Sequence, residues 1–211
     1  MRTLFILIMT LVLTVIAVQP ILAVNIITPE PEPTSTASAE YILPYPGMLP
    51  DNPLYKLKIA RDRLMLLFIR NPASRAEKYI SLADRQLFEA LKVAEKEKIS
   101  LAVHTAFKAE HQMTLAVSEL QRIVTPEQFD DIKDKALLAS QKHRELLAGI
   151  ADRAKNDADS AAKVETIMQF SLQNDESIRK TDQERQQKEL FEELLEEDTT
   201  EIPEEESPPQ E

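Results

Sequence analysis

Apolar residues recur at intervals of three and four along most of this chain. Ala76, Tyr79, Ile80, Ala83, Leu87, Ala90, Leu91 and Ala94 form one narrow stripe. Ala102, Ala106, Ala109, Met113, Ala116, Val117, Leu120 and Ile123 form a second, and Phe129, Ile132, Ala136, Ala139, His143, Leu147 and Ile150 a third. This is the period of a helix that buries one face. The punctuation agrees with it. Asn52-Pro53, Asn71-Pro72 and Thr125-Pro126 each set a capping side chain before a proline at the first helical position, where its missing N–H costs nothing. Gln128 completes a capping-box pattern with Thr125. The spacing predicts helices over 53–70, 72–97, 100–124 and 126–155, and a fifth over 160–180 with the option of running on to 197. Narrow alanine- and leucine-rich stripes suit close antiparallel packing with short loops. The expected fold is all-α: an antiparallel helical bundle of four to five helices preceded by a Pro-rich extended segment.

The first of these helices breaks the pattern. Leu64-Met65-Leu66-Leu67-Phe68-Ile69 is apolar all round, which requires burial on more than one side. It is expected either at the centre of the bundle or on a surface that meets a partner. Ahead of it, YILPYPGMLPDNPLY (41–55) is irregular yet rich in large apolar groups, as a segment packed along the body would be.

The ends of the chain read differently. Arg2 precedes an apolar run from Leu4 to Val18, interrupted only by Thr10 and Thr14, which has the shape of a secretory signal. Residues 1–24 are therefore expected to be a signal peptide cut near Ala23 or, if uncut, an N-terminal membrane anchor with the body outside the cytoplasm. Residues 25–40, which include TPEPEPTSTASAE, cannot bury a core and form a linker. The bundle domain is expected over 41–181 and an acidic, mostly disordered tail over 182–211, with a short helix conceivable over 182–197.

Composition sharpens this outline. Two glycines in 211 residues leave too few turn formers for a β-sheet protein, and the absence of cysteine removes disulfides, thiolate metal sites and cysteine nucleophiles. The net charge of −11 sits in the tail: Asp182 to Glu211 holds 13 acidic residues against Arg185 and Lys188. The preceding chain is balanced, which gives no support to nucleic-acid binding.

Candidate chemistry is sparse. His104 and His111 lie seven apart, roughly 10 Å along a helix axis, too far to chelate one metal, and are expected to face solvent. His143 falls within an apolar stripe and reads as a hydrogen-bonded core histidine; contact with carboxylates from another helix would be the sign of chemistry there. No Gly-x-Ser-x-Gly turn or phosphate-cradling loop occurs. We therefore expect no catalytic residues, no metal and no cofactor. Most carboxylates stand beside Lys or Arg, as surface pairs do. A basic face is more suggestive. Lys56, Arg63 and Arg70 repeat every seven residues, with Lys58 and Arg75 nearby, and this set is the candidate anion-binding face. The partners that fit it are an anionic envelope polymer, lipid headgroups or another envelope protein.

The stretch LPYPGMLPDNPLYKLKIARDRLMLLF, followed by NPASRAEKYISLADRQLFEA, resembles the bacterial family built on domain of unknown function 5667. Pro44, Pro46, Gly47, Pro50, Asp51, Pro53, Leu54, Tyr55, Asp62 and Arg63 are among the residues that carry the likeness, which covers about a third of the chain. The resemblance implies an exported helical protein and brings no established activity with it. The function expected is that of a non-enzymatic envelope scaffold or interaction module. The alternative is an extracytoplasmic ligand-binding or sensor-like bundle.

Overall fold

The computed structural model describes residues 41–200, with side chains through residue 195. The segments expected to be a signal or anchor (1–24) and a linker (25–40), and the last eleven residues, lie outside the described residues. Five helices account for nearly all of the described chain: α1 (Tyr55–Phe68), α2 (Pro72–Ala94), α3 (Ile99–Leu120), α4 (Pro126–Ala154) and α5 (Ala158–Thr200). The all-α expectation therefore holds.

The helix starts show which local signals operate. Asn71 caps α2 by accepting from the Ser74 N–H at 3.2 Å, with Pro72 at the first position. Thr125 takes the extended cap conformation but makes no side-chain cap bond, so its capping box is not formed, and Pro126 and Glu127 open α4 without it. Helix α1 begins two residues later than the Asn52-Pro53 pattern predicts. Asn52 instead closes a turn by accepting from the Leu54 N–H at 2.9 Å. Asp157, placed just before α5, accepts from the Ser160 N–H and hydroxyl, which lowers its pKa. The α2–α3 turn closes through Lys98 N–H to Val93 O and Glu97 N–H to Ala94 O, a Schellman arrangement that puts Glu97 at φ 61°.

Helices α2 to α5 form the bundle. Helix α2 runs beside α3 and α4, and α5 also runs beside α3 and α4, while α3 and α4 approach across the centre. All three predicted stripes are buried, with Tyr79 and Leu91 only partly so. Gly149 of α4 meets α2 so closely that a Cβ there would stand 3.4 Å from Leu91 Cδ1. The core is not continuous along the bundle. One apolar cluster gathers Ile80, Met113, Leu120, Phe129 and Ile178; another gathers Leu87, Val103, Leu147, Ile150 and Ile167. Between them lies a layer of buried polar groups: Asp84, Glu110, Ser140, His143, Ser171 and Asn174.

Helix α1 lies on the outside of α2, so of the two placements its composition allows, the bundle centre is excluded. Helix α5 continues unbroken past residue 181 to Thr200, taking up the option of a fifth helix that runs on toward 197. Arg185 ties it to the bundle: its guanidinium donates to Ile123 O (2.6 Å) and Val124 O (3.1 Å) and lies over the Phe129 ring. Among the described residues no helix is long and apolar enough to cross a membrane.

Candidate functional site

Two features stand out, one inside the bundle and one on its surface. The first is centred on His143, which α4 carries between Ala139 and Leu147 and which has no exposed surface. Its Nε2 lies 3.0 Å from Asp84 Oδ1 of α2, and its Nδ1 lies 2.9 Å from Glu110 Oε1 of α3. The imidazole is thus held between carboxylates from two other helices, the contact that sequence reasoning named as the sign of chemistry. Burial pulls its pKa down, but the hydrogen bonds it donates to Asp84 and Glu110, and the charges on them, outweigh it and raise the value to about 9. As an imidazolium it donates from both ring nitrogens.

The layer continues outward on both sides. Tyr41 Oη donates to Asp84 Oδ2 at 2.7 Å, and burial beside that carboxylate raises the phenol pKa. Asn174 Nδ2 donates to Glu110 Oε2 at 3.4 Å, and Thr114 Oγ1 donates to Asn174 Oδ1 at 3.1 Å. The chain Tyr41–Asp84–His143–Glu110–Asn174–Thr114 therefore ties the strap, the irregular segment of residues 41–54 ahead of α1, to α2, α4, α3 and α5. With Asp84 and Glu110 also buried, this constellation holds a proton and fixes helix register.

The second feature is the attachment of α1. Tyr55, Lys58 and Asp62 recur at three and four residues and point inward. Tyr55 Oη donates to Glu89 Oε2 of α2 at 2.6 Å. Lys58 pairs with Glu89, which is fully buried, and donates to Pro46 O (2.7 Å) and Met48 O (3.3 Å) of the strap. Burial pushes the Glu89 carboxyl up, against the pull of Lys58 and Tyr55. Buried Asp62 accepts from Arg85 of α2 at 3.3 Å and from Arg61 at 2.8 Å. Helix α1 is therefore held by ions and hydrogen bonds on its inner side. Five of its large apolar groups turn outward, Leu57 (72 % exposed), Leu67 (75 %), Phe68 (77 %), Leu64 and Met65, while Ile59 and Leu66 are half-buried.

The basic face divides accordingly. Lys58 pairs with Glu89, and Arg75 with Glu119 at 2.9 Å, so each already meets a carboxylate of its own chain. Lys56, Arg63 and Arg70 are exposed and have no ion-pair partner among the described residues, and they flank the apolar crest of α1. Of the signature positions, Pro46 is buried under Lys58, and Gly47 takes φ 70°, which a glycine accepts without strain. Asp51 pairs with Lys96 (3.1 Å) and Lys98 (2.9 Å), whose hydrogen bonds lower its pKa. Pro44 and Pro50 are half-buried in the strap, and Pro53 and Leu54 sit exposed in the turn before α1.

His104 and His111 are exposed on α3, as their spacing implies, and border grooves between α3 and α5. One groove, of about 450 Å³, is lined by Ser100, Val103, His104, Phe107, Lys163 and Ile167 among others. A second, of about 310 Å³, reaches Glu110, Thr114 and Asn174. The edge-to-face pair Phe107–Phe170, with centroids 6.0 Å apart, stands where the two grooves meet. Sequence reasoning missed Asp84, Glu89 and Glu110 as interior groups. The signal was present for Asp84, which continues the row Ile80–Asp84–Leu87.

Comparison with family models, with curated proteins and with solved structures produced no match to this chain.

Proposed function

We propose that this protein is an exported, membrane-tethered helical module of the cell envelope that acts by non-catalytic binding through the outward face of α1. The observation that carries this reading is the inverted seating of α1, which spends its polar side on α2 and presents Leu57, Leu64, Leu67 and Phe68 to solvent. Contiguous exposed apolar surface of this kind marks interaction sites. The cations Lys56, Arg63 and Arg70 beside it add selectivity for an anionic partner. The sequence before Tyr41 supports the placement. An apolar run followed by a proline- and glutamate-rich stretch is the pattern of a tethered, exported domain.

The α3–α5 grooves favour a second reading, a ligand-binding or sensor-like bundle, because an apolar cleft with converging polar groups is the usual form of a small-molecule site. The two readings separate on which surface matters.

The test is retention of residues 41–211 by envelope fragments over a salt series. The paired substitution Leu64→Asp and Phe68→Asp should abolish retention with helix content unchanged. Retention that survives those changes, but is lost on Phe107→Ala, would replace the α1 reading with the groove.

A further inference from the structure

One of the α3–α5 grooves meets the buried polar layer, and it does so at a carboxyl group. The groove of about 310 Å³ is walled by Phe107, His111 and Thr114 of α3 and by Phe170, Gln173 and Asn174 of α5. Glu110 lines it too, although the residue is only 1 % exposed, so it belongs to the floor of the groove and not to its rim.

That carboxyl is unevenly supplied with partners. Its Oε1 meets His143 Nδ1 at 2.9 Å, whereas its Oε2 receives Asn174 Nδ2 at 3.4 Å, a long bond. Asp84 is met at short range on both oxygens, by His143 at 3.0 Å and by Tyr41 at 2.7 Å. An ionised carboxylate has room for about four hydrogen bonds, and burying it with few of them made is costly. Two carboxyl groups also share the one imidazole, so the weaker-supplied of the two is the one beside the groove. Ser171 of the same layer adds a buried hydroxyl with no hydrogen-bond partner among the described residues.

The surroundings of Glu110 select the kind of ligand. Among the described residues no lysine or arginine lines this groove, and His111, which is exposed, is the one other ionisable group on its walls. An anion entering it would meet the carboxylate and be repelled. Calcium takes six or more oxygen ligands, and no group of three or more acidic or histidine side chains that could hold a metal ion occurs among the described residues. An organic ammonium suits both parts of the site. Its N–H groups donate to a carboxylate at about 2.8 Å. The Phe107 and Phe170 rings, with centroids 6.0 Å apart, attract a cation over their faces and cover its apolar substituent. The adjoining groove of about 450 Å³, with Val103 and Ile167 on its walls, extends the apolar surface past those rings.

We infer that the α3–α5 cleft is a binding site for a small organic ammonium, its charged head seated on Glu110 and its apolar part lying along Phe107 and Phe170. This rests on the groove reading of the bundle and names its ligand class; it makes no demand on the outward face of α1. Each groove is near the lower end of the roughly 300–1,000 Å³ usual for ligand pockets, so the ligand is a primary or secondary amine with one ring or a short chain.

The test is isothermal titration of the full chain in neutral detergent, with a detergent blank, using three probes that share one ring: 2-phenylethylammonium, 2-phenylethanol and phenylacetate. The ammonium should bind at one site about tenfold or more tighter than the alcohol, and phenylacetate more weakly than either. Two variants at exposed positions locate the site without disturbing the core. Phe170→Ala should weaken ammonium binding about tenfold, and Gln173→Lys, which brings a competing ammonium of its own, by at least as much. Ammonium binding that ignores both substitutions overturns the inference. Alcohol or phenylacetate binding as tightly as the ammonium, and lost on Phe170→Ala, overturns the ligand class and leaves the groove standing as a site. If none of the three probes binds, the inference and the groove reading fall together.

Discussion

His143 makes the stability of this fold depend on pH in a direction opposite to that of a paired carboxylate. Its folded pKa of about 9 stands above its unfolded value of 6.5. A group whose pKa is raised by folding contributes stability that is fully present below the unfolded value and is lost as pH rises through the folded one. At about 1.4 kcal/mol per unit, the shift corresponds to roughly 3 kcal/mol, present at pH 6 and gone above pH 9. His143→Gln keeps most of the volume and can still hydrogen-bond, but removes the cation between Asp84 and Glu110. At pH 6 it should destabilise by about 3–5 kcal/mol, the cost of stranding buried charge. At pH 9.5 the difference from the wild type should shrink by about 3 kcal/mol. Urea unfolding of both proteins at the two pH values, followed by far-UV circular dichroism, gives the comparison, and subtraction cancels other titrating groups. A gap that stays constant or widens with pH would refute the assignment of an imidazolium to the core.

Three other perturbations probe separate parts of the structure. Lys58→Met leaves Glu89 buried with only the Tyr55 hydroxyl, so it should cost about 3 kcal/mol and expose α1 to limited proteolysis before the bundle is cut. Glu97→Gly relieves a left-handed residue at the Schellman position and should raise stability by about 1 kcal/mol, measured as a shift in the urea midpoint. Leu64→Asp with Phe68→Asp should change stability by less than about 0.5 kcal/mol, because both side chains are exposed; a large loss would mean that the crest is packed within the chain.

Most of the bundle was legible in the sequence, for a definable reason. In α2, α3 and α4 the buried side is alanine- and leucine-rich and narrow, so the 3–4 period survives beside strongly polar flanks. Even His143 fell in its stripe. Helix α1 was ambiguous because its run 64–69 is apolar on every side, and period alone then carries no orientation. What settles the orientation is a set of acids on another helix. Glu89, between Arg85 and Lys92, looks like half of a surface pair, yet it is the deepest anchor of α1. Burial of a charge depends on the tertiary neighbour that meets it, and no pattern within α2 announces Tyr55 and Lys58 arriving from 31 to 34 residues away. The length of α5 was hard to fix for the converse reason: beyond Arg185 its described side chains are exposed, and no buried stripe marks its course.

The seating of α1 also bears on why its crest is free. Turning the helix over would offer Leu57, Leu64, Leu67 and Phe68 for burial, at roughly 1.5–3 kcal/mol each if complete. That gain requires an apolar receiving surface, and the face of α2 beneath α1 presents Arg85 and Glu89. Turned over, α1 would withdraw Lys58 and Tyr55 from Glu89 and Asp62 from Arg85, at a cost of about 3–5 kcal/mol for the stranded carboxylate alone. The leucines would meet those polar groups and recover little. The inward acids and bases therefore act as a selector: they make one rotation of α1 stable and reject the rotation that hydrophobicity alone would choose. A chain that needed α1 only for its own core would have placed leucines on α2 opposite it. With Glu89 there instead, the apolar crest is held outward.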